Sequence, residues 1–311
     1  MTTATSGGAA ASTDRPLLGV LLMAGFCILA PLGDAIAKIL GALPLGQLLL
    51  VRYGMQALLL LPLVWASGLS LRLGARIWWL TVLRTVLHVV SLAAFLAALR
   101  YLPMADAVAI CYVMPFIILL LGRLFLGETV GPHRLAACAV GFAGTLLVVQ
   151  PSFATVGAPA LLPLAVALLF SLFMLVTRQI AREADPVALQ AASGIVATLI
   201  LAPLLLLGSG RGWPELDAVP VSGTDWLLLF GLGFFGTVAH MVVTWSLRFA
   251  PSATLAPIQY LEIPFATLIA FLVFGTLPNG LAALGILVTI AAGLYILQRE
   301  RRASLAGAPA V

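Results

Sequence analysis

Five ionisable side chains, Asp34, Arg52, Arg84, His88 and Glu262, interrupt stretches built otherwise of Leu, Ala, Val and Phe. Placing such a group in hydrocarbon costs about 2.5–3.5 kcal/mol on insertion scales, so each has to face protein or a wet cavity. Their types define the chemistry available. An arginine offers a planar fork of donors to a carboxylate or phosphate. A glutamate or histidine shielded from water can take up and release protons near neutral pH. Covalent catalysis would need more. The competing reading, a membrane-embedded enzyme acting on a lipid, calls for HExxH, GxSxG or clustered intramembrane Asp pairs, and the sequence has none.

The elements that must hold these residues are set by composition. The 311 residues are 62% hydrophobic and 9% charged, with a mean hydropathy of +1.16, whereas soluble domains carry about a quarter charged residues. The chain therefore reads as an all-α integral membrane protein. Ten apolar runs of spanning length fall near 17–38, 45–66, 77–99, 103–122, 134–150, 159–180, 187–207, 225–247, 251–274 and 278–298. With the N-terminus inside, eleven arginines fall on the cytoplasmic side, against Lys38, Arg100 and Arg211 outside, so both termini are expected in the cytoplasm of a bacterial inner membrane. Loops are short, and no GxxxxGK[ST] motif is present to support an ATP-driven pump. The only basic cluster, "RERR" at 299–302, suits anionic lipid headgroups rather than nucleic acid. Cys27, Cys111 and Cys138 sit in apolar runs without CxxC spacing and read as packing residues, and neither a metal nor a cofactor site is expected.

Depth along these spans groups the charged residues. Asp34 lies toward the outer end of the first span and Arg52 roughly 10 Å into the second, so the two can form an ion pair or contact substrate or ion together. Lys38, four residues after Asp34, is near enough to the surface to snorkel. Arg84 and His88 share a helix face, and Glu262 reaches similar depth in the ninth span. These three make either one polar substrate and proton site, or a structural Arg84–Glu262 bridge beside a packed His88. Tyr112, Gln259 and Tyr260 either flank a planar solute or simply pack. Asp106 and His240 are weaker candidates. Pro115 and Pro264 are expected to break the fourth and ninth spans, the pattern expected near a transporter site.

The two halves echo each other. "LRYLP" at 99–103 returns as "LRFAP" at 247–251, and Pro103, Tyr112 and Gly127 match Pro251, Tyr260 and Gly275 at an offset of 148. Five spans per unit is an odd number, so the second unit would enter the membrane upside down, as in many secondary transporters. The division expected is a disordered tail over 1–16, a first repeat over 17–150, a linker over 151–158, a second repeat over 159–298 and a cytoplasmic tail over 299–311. Gly141, Gly144, Gly285 and Gly293 give the fifth and tenth spans small faces, for packing within one subunit or for a homodimer contact.

Several runs resemble the drug/metabolite transporter superfamily, in its EamA-type ten-helix branch: "GDAIAKILG", "VRYG", "LRTVLHVVSLAAFLAALRYLP" and "FLGETVGPHRLAACAVGFAGTLLVV". The resemblance covers 17–298. It implies a secondary transporter of a small organic metabolite working by alternating access, with membrane lipids around it. In that family the fourth span typically ends in a Leu-Gly-Glu turn, here Leu126, Gly127 and Glu128, while the second half carries Thr276 in place of the Glu. Asp34 with Lys38, Arg52 and Arg84 is similar to the branch that includes S-adenosylmethionine and riboflavin uptake proteins. The superfamily also contains exporters of amino acids, drugs and metallophores.

Overall fold

The computed structural model describes residues 15–102, 104–149, 157–275 and 280–305. Nearly all of the N-terminal tail, most of the 151–158 linker, Pro103, Thr276 and the chain beyond Leu305 lie outside these residues, as does the Asp106 side chain. All regular secondary structure among the described residues is helical. The helices are α1 Pro16–Ile39, α2 Leu45–Ala66, α3 Ala75–Tyr101, α4 Met104–Cys111, α5 Met114–Leu126, α6 Pro132–Val149, α7 Leu161–Ile180, α8 Pro186–Gly208 and α9 Gly223–Phe249. Then come α10 Ser252–Leu255, a 3-10 segment Ala256–Leu261, α11 Glu262–Phe274 and α12 Gly280–Leu305. Eight helical segments among the described residues are long and apolar enough to cross a membrane, and α5 is a shorter apolar one.

Local chemistry explains several boundaries. Pro16 and Pro186 open α1 and α8 at positions where no N–H is required. Asp185 caps α8, accepting from the backbone N–H of Val187 at 2.8 Å. Gly127 and Gly275 end α5 and α11 in the left-handed region, at φ of +63° and +68°, where a side chain would be strained.

Both expected breaks are present, and the structure gives their positions and one helix end. The fourth span is not one helix over 103–122: α4 stops at Cys111, and α5 restarts at Met114 and continues to Leu126. Pro115 sits in the first turn of α5 and offers no N–H to the carbonyl of Cys111, where α4 ends, so the break falls in the turn just before it, as a proline break does. In the second half the interruption is the 3-10 segment, which contains Pro257, while Pro264 lies inside the first turn of α11. The presumed tail from 299 begins as helix, because α12 continues to Leu305.

Burial differs from that of a water-soluble bundle in that apolar side chains cover the outside as well as filling the core. Leu58, Leu124, Leu199 and Leu206 are exposed, as lipid-facing residues are, and Trp65, Trp79, Trp213 and Trp226 are exposed near helix ends. Inside, α1 packs most extensively on α9, α3 on α7, α2 on α8 and α6 on α12. Small residues permit this: a Cβ on Gly194 would lie 2.9 Å from the Ala57 backbone nitrogen, and one on Gly144 would lie 2.8 Å from the Gly285 carbonyl oxygen. Gly141 meets the Tyr260 ring and Gly293 meets Leu261, so these small faces are occupied by the chain itself.

Element boundaries repeat at the offset seen in the sequence. The 27-residue α3 and α9 both begin and end 148 positions apart, as do the 13-residue α5 and α11. Tyr112 and Tyr260, one such pair, touch each other: the Tyr260 hydroxyl donates to the Tyr112 carbonyl oxygen at 3.2 Å.

Candidate functional site

A cavity of about 710 Å³, open space at its mouth included, lies among α1, α2, α3, α4, α5, α7, α9 and α11. Its lining includes Asp34, Arg52, His88, Tyr112, His240 and Glu262, with Phe26, Phe95 and Phe170 between them. The α3 residues that reach it, His88 to Phe95, belong to the C-terminal half of that helix, and Val166 and Phe170 belong to the N-terminal half of α7. The cavity therefore occupies the middle of the bundle and the half nearer Lys38 and Arg100.

One wall is a polar chain across three helices, backed by a phenylalanine of a fourth. The Tyr53 hydroxyl on α2 meets His88 Nδ1 on α3 at 2.9 Å. The His88 and His240 rings lie 4.2 Å apart, and His88 stacks on Phe173 of α7 at 4.7 Å. Arg52 Nη2 meets His240 Nδ1 of α9 at 3.1 Å. Asp34 and Arg52 share the cavity, yet no ion pair within 4 Å joins them among the described residues.

Arg84 is elsewhere. It is 0% exposed and absent from the cavity lining, and no bridge to Glu262 exists among the described residues. Its guanidinium donates instead to Thr177 Oγ1 at 3.1 Å, Gln190 Oε1 at 3.0 Å, Ser193 Oγ at 3.3 Å and Thr244 Oγ1 at 3.4 Å. The two threonine hydroxyls give their own protons to Phe173 and His240 carbonyls, so their lone pairs are free to accept. The Phe173 ring lies 5.1 Å from the guanidinium carbon. Arg84 thus ties α3 to α7, α8 and α9 below the cavity. The sequence clue was Thr177, Gln190, Ser193 and Thr244, polar residues in apolar spans.

Gln259 and Tyr260 also lie outside the lining. The Gln259 amide donates to Met174 Sδ at 3.1 Å, while the Tyr260 ring packs on Gly141. Lys38 donates to the Leu99 and Leu102 carbonyls at 3.3 and 3.1 Å, which holds the end of α3. The cysteines are buried and unpaired, with the Cys27 thiol directed at the Ile258 carbonyl. Tyr53, His240 and Gly236 are the site residues that sequence reasoning undervalued or missed.

A second polar cluster closes the opposite, arginine-rich end. Glu128, just past α5, accepts from the Ser252 backbone N–H at 3.1 Å, the Ser252 hydroxyl at 2.7 Å and the Ala253 N–H at 2.8 Å. Arg178 Nε of α7 stands 3.6 Å from the same carboxylate, the two side chains being 9% and 10% exposed. Arg178 also donates to the Leu247 carbonyl at 2.5 Å, and the Arg15 N–H donates to the Phe249 carbonyl at 2.8 Å. At the other end Arg100 pairs with Glu215 and donates to the Leu43 carbonyl.

A membrane-embedded cavity with both charge signs and aromatic walls, made by helices that recur at one offset, is the geometry of a solute carrier. The EamA-like transporter family matches residues 17–150 and again 158–298. The chain belongs to that family. This EamA-like transporter is 32% identical to a riboflavin transporter of Rhizobium johnstonii over 81% of the chain and 80% of that relative. It is 25% identical to a riboflavin transporter of Vibrio cholerae over 93% of the chain and 96% of that relative. With an S-adenosylmethionine uptake transporter of Rickettsia felis it shares 22% identity over 87% of the chain and 89% of that relative. A solved crystal structure shares the fold with a TM-score of 0.71 at 20% identity, covering 92% of this chain and 98% of that one. The EamA-like transporter is accordingly a multi-pass membrane protein that moves a small metabolite, and it is not an enzyme.

Proposed function

We propose that this protein takes up a flavin, riboflavin or a close analogue, by alternating access across the bacterial inner membrane. The observation that carries the reading is the cavity wall. Phe26, Phe95, Phe170 and Tyr112 offer flat apolar surface to a ring system, while Asp34, Arg52 and Glu262 offer an arginine fork and two carboxylates to its polar edges. Relatives named riboflavin transporter support the ligand class.

The architecture proposed with it is ten spans in two inverted five-helix repeats, with both termini cytoplasmic. Its support is the double family match, the offset of 148 shared by α3 with α9 and by α5 with α11, and the exchanged packing of α1 on α9 and α7 on α3. The arginine bias supports a cytoplasmic position for the Glu128–Arg178 end. The conformation is then outward-facing: the cavity lies in the outer half, and Arg84, Glu128 and Arg178 seal the inner one. Opening that seal while closing the Arg100–Glu215 end delivers the solute. Asp34 and Glu262, carboxylates in the same cavity, are the proposed proton-coupling groups.

Expression in a riboflavin auxotroph tests the substrate. Growth at low external riboflavin and uptake of labelled riboflavin are the expected results. Uptake of S-adenosylmethionine in place of riboflavin would overturn the assignment, as would the absence of any flavin uptake.

A further inference from the structure

The Arg52 guanidinium carries five N–H donors, but among the described residues its hydrogen-bonded side-chain partner is His240 alone. Arg52 is 6% exposed, and its Nε is buried without a partner. The Tyr112 hydroxyl, on a residue only 1% exposed, faces the Glu262 carboxylate in the same cavity but makes no hydrogen bond of good geometry. Buried donors left unpaired are costly, and the Arg52 fork calls for a ligand that brings the missing acceptors.

The setting of Arg52 is specific. A Cβ on Gly236 would stand 2.7 Å from its Cζ, 2.8 Å from Nη2 and 2.9 Å from Nε, so the guanidinium lies flat on bare backbone that no other residue type provides. His240 Nδ1 lies 3.1 Å from Arg52 Nη2 and 2.9 Å from the Gly236 carbonyl oxygen. Arginine can only donate and a carbonyl can only accept, so Nδ1 serves one of the two: unprotonated it accepts from Arg52, and protonated it donates to Gly236 and leaves Arg52 Nη2 without this partner. Around this corner gather the rings of Phe26, His88, Phe170 and His240, at centroid separations from 4.2 to 6.4 Å. Tyr112 and Glu262 come from α4–α5 and α11, a different wall.

We infer that Arg52, positioned by Gly236, anchors the carbonyl edge of the substrate's ring system, and that Tyr112 and Glu262 take its hydroxylated chain. A ring edge of carbonyl oxygens supplies the acceptors that the arginine fork lacks. A polyol both donates to a carboxylate and accepts from a tyrosine hydroxyl. The assignment rests on the flavin reading above and adds the orientation of the ligand and the residues that discriminate its two ends.

The test uses purified full-length protein and two fluorescent probes, riboflavin and lumichrome, the second having the ring system without the polyol. Arg52→Lys replaces a planar fork by a point charge and is expected to weaken both probes by about tenfold or more, the worth of a charge-assisted hydrogen bond. Gly236→Ala should weaken both in the same way while the ligand-free melting temperature is unchanged, since it displaces the guanidinium and not the fold. Should that variant fail to fold, Arg52→Lys, which needs no added room, carries the test alone. Glu262→Gln should weaken riboflavin and leave lumichrome unaffected. Equal binding of both probes by Arg52→Lys and wild type would overturn the anchor and leave the flavin reading standing. Loss of riboflavin alone in Arg52→Lys would reverse the orientation and overturn the inference. Wild-type protein that binds neither probe would overturn the flavin reading and this assignment with it.

Discussion

Replacing Glu128 by alanine should open the end of the protein where Glu128 and Arg178 meet, the one proposed to face the cytoplasm. In the closed arrangement this carboxylate holds Ser252 and Ala253 through three hydrogen bonds and stands 3.6 Å from Arg178. It thereby joins the end of α5, from the first half, to α10 and α7, from the second. Hydrogen bonds to a charged acceptor contribute about 1.5–3 kcal/mol each, and breaking a buried pair costs about 3–5 kcal/mol. These contributions overlap, because the same carboxylate makes all of them. With Glu128 taken as solvated once this end opens, the loss falls almost wholly on the closed state. Taking about 3 kcal/mol gives a shift of about 140-fold, which turns a closed-to-open ratio of about 99:1 into about 40:60.

Spin labels at Arg123→Cys and Arg182→Cys, both exposed at this end, read the change in a background with Cys27, Cys111 and Cys138 replaced by alanine. The distance distribution should gain a longer component in Glu128→Ala and a smaller one in Glu128→Gln, which keeps one acceptor oxygen. Gly122→Ala should act similarly, because its Cβ would stand 2.8 Å from Glu128 Oε2. A folded Glu128→Ala protein with the wild-type distribution would refute the latch. So would a Glu128–Arg178 double-mutant cycle with no coupling.

Further outcomes are expected elsewhere. Glu262→Gln should abolish proton-driven accumulation in proteoliposomes while substrate exchange remains measurable; unchanged accumulation would remove Glu262 from coupling. Arg84→Lys should lower the melting temperature, because one ammonium cannot reach Thr177, Gln190, Ser193 and Thr244 together, and a loss of about 2–4 kcal/mol fits a broken buried network. Binding of substrate by the folded fraction should persist, since Arg84 is outside the cavity. Gly194→Leu should reduce folded yield in detergent, as the space between α2 and α8 does not admit even a Cβ without movement.

The sequence by itself determined the membrane class, the approximate ends of most helices and the pairing of residues 148 apart. Apolar run length reports bilayer thickness, and proline and glycine mark the helix ends that run length leaves vague. Asp34, Arg52, His88, Tyr112 and Glu262 stood out because a charged or polar group in such a run has few reasons to be there. Depth along a helix, however, says nothing about which neighbour a side chain faces. Arg84 and Glu262 reach comparable depth, and only the packing of α3 on α7, α8 and α9 decided that Arg84 meets hydroxyls and an amide rather than a carboxylate. His88, one turn from Arg84, reaches the cavity that Arg84 misses. The same holds for His240 and Gly236: neither residue announces a role alone, and both acquire one because α9 lays bare backbone against Arg52 of α2. Contacts between helices distant in sequence depend on helix rotation and close approach, which are properties of the packed bundle.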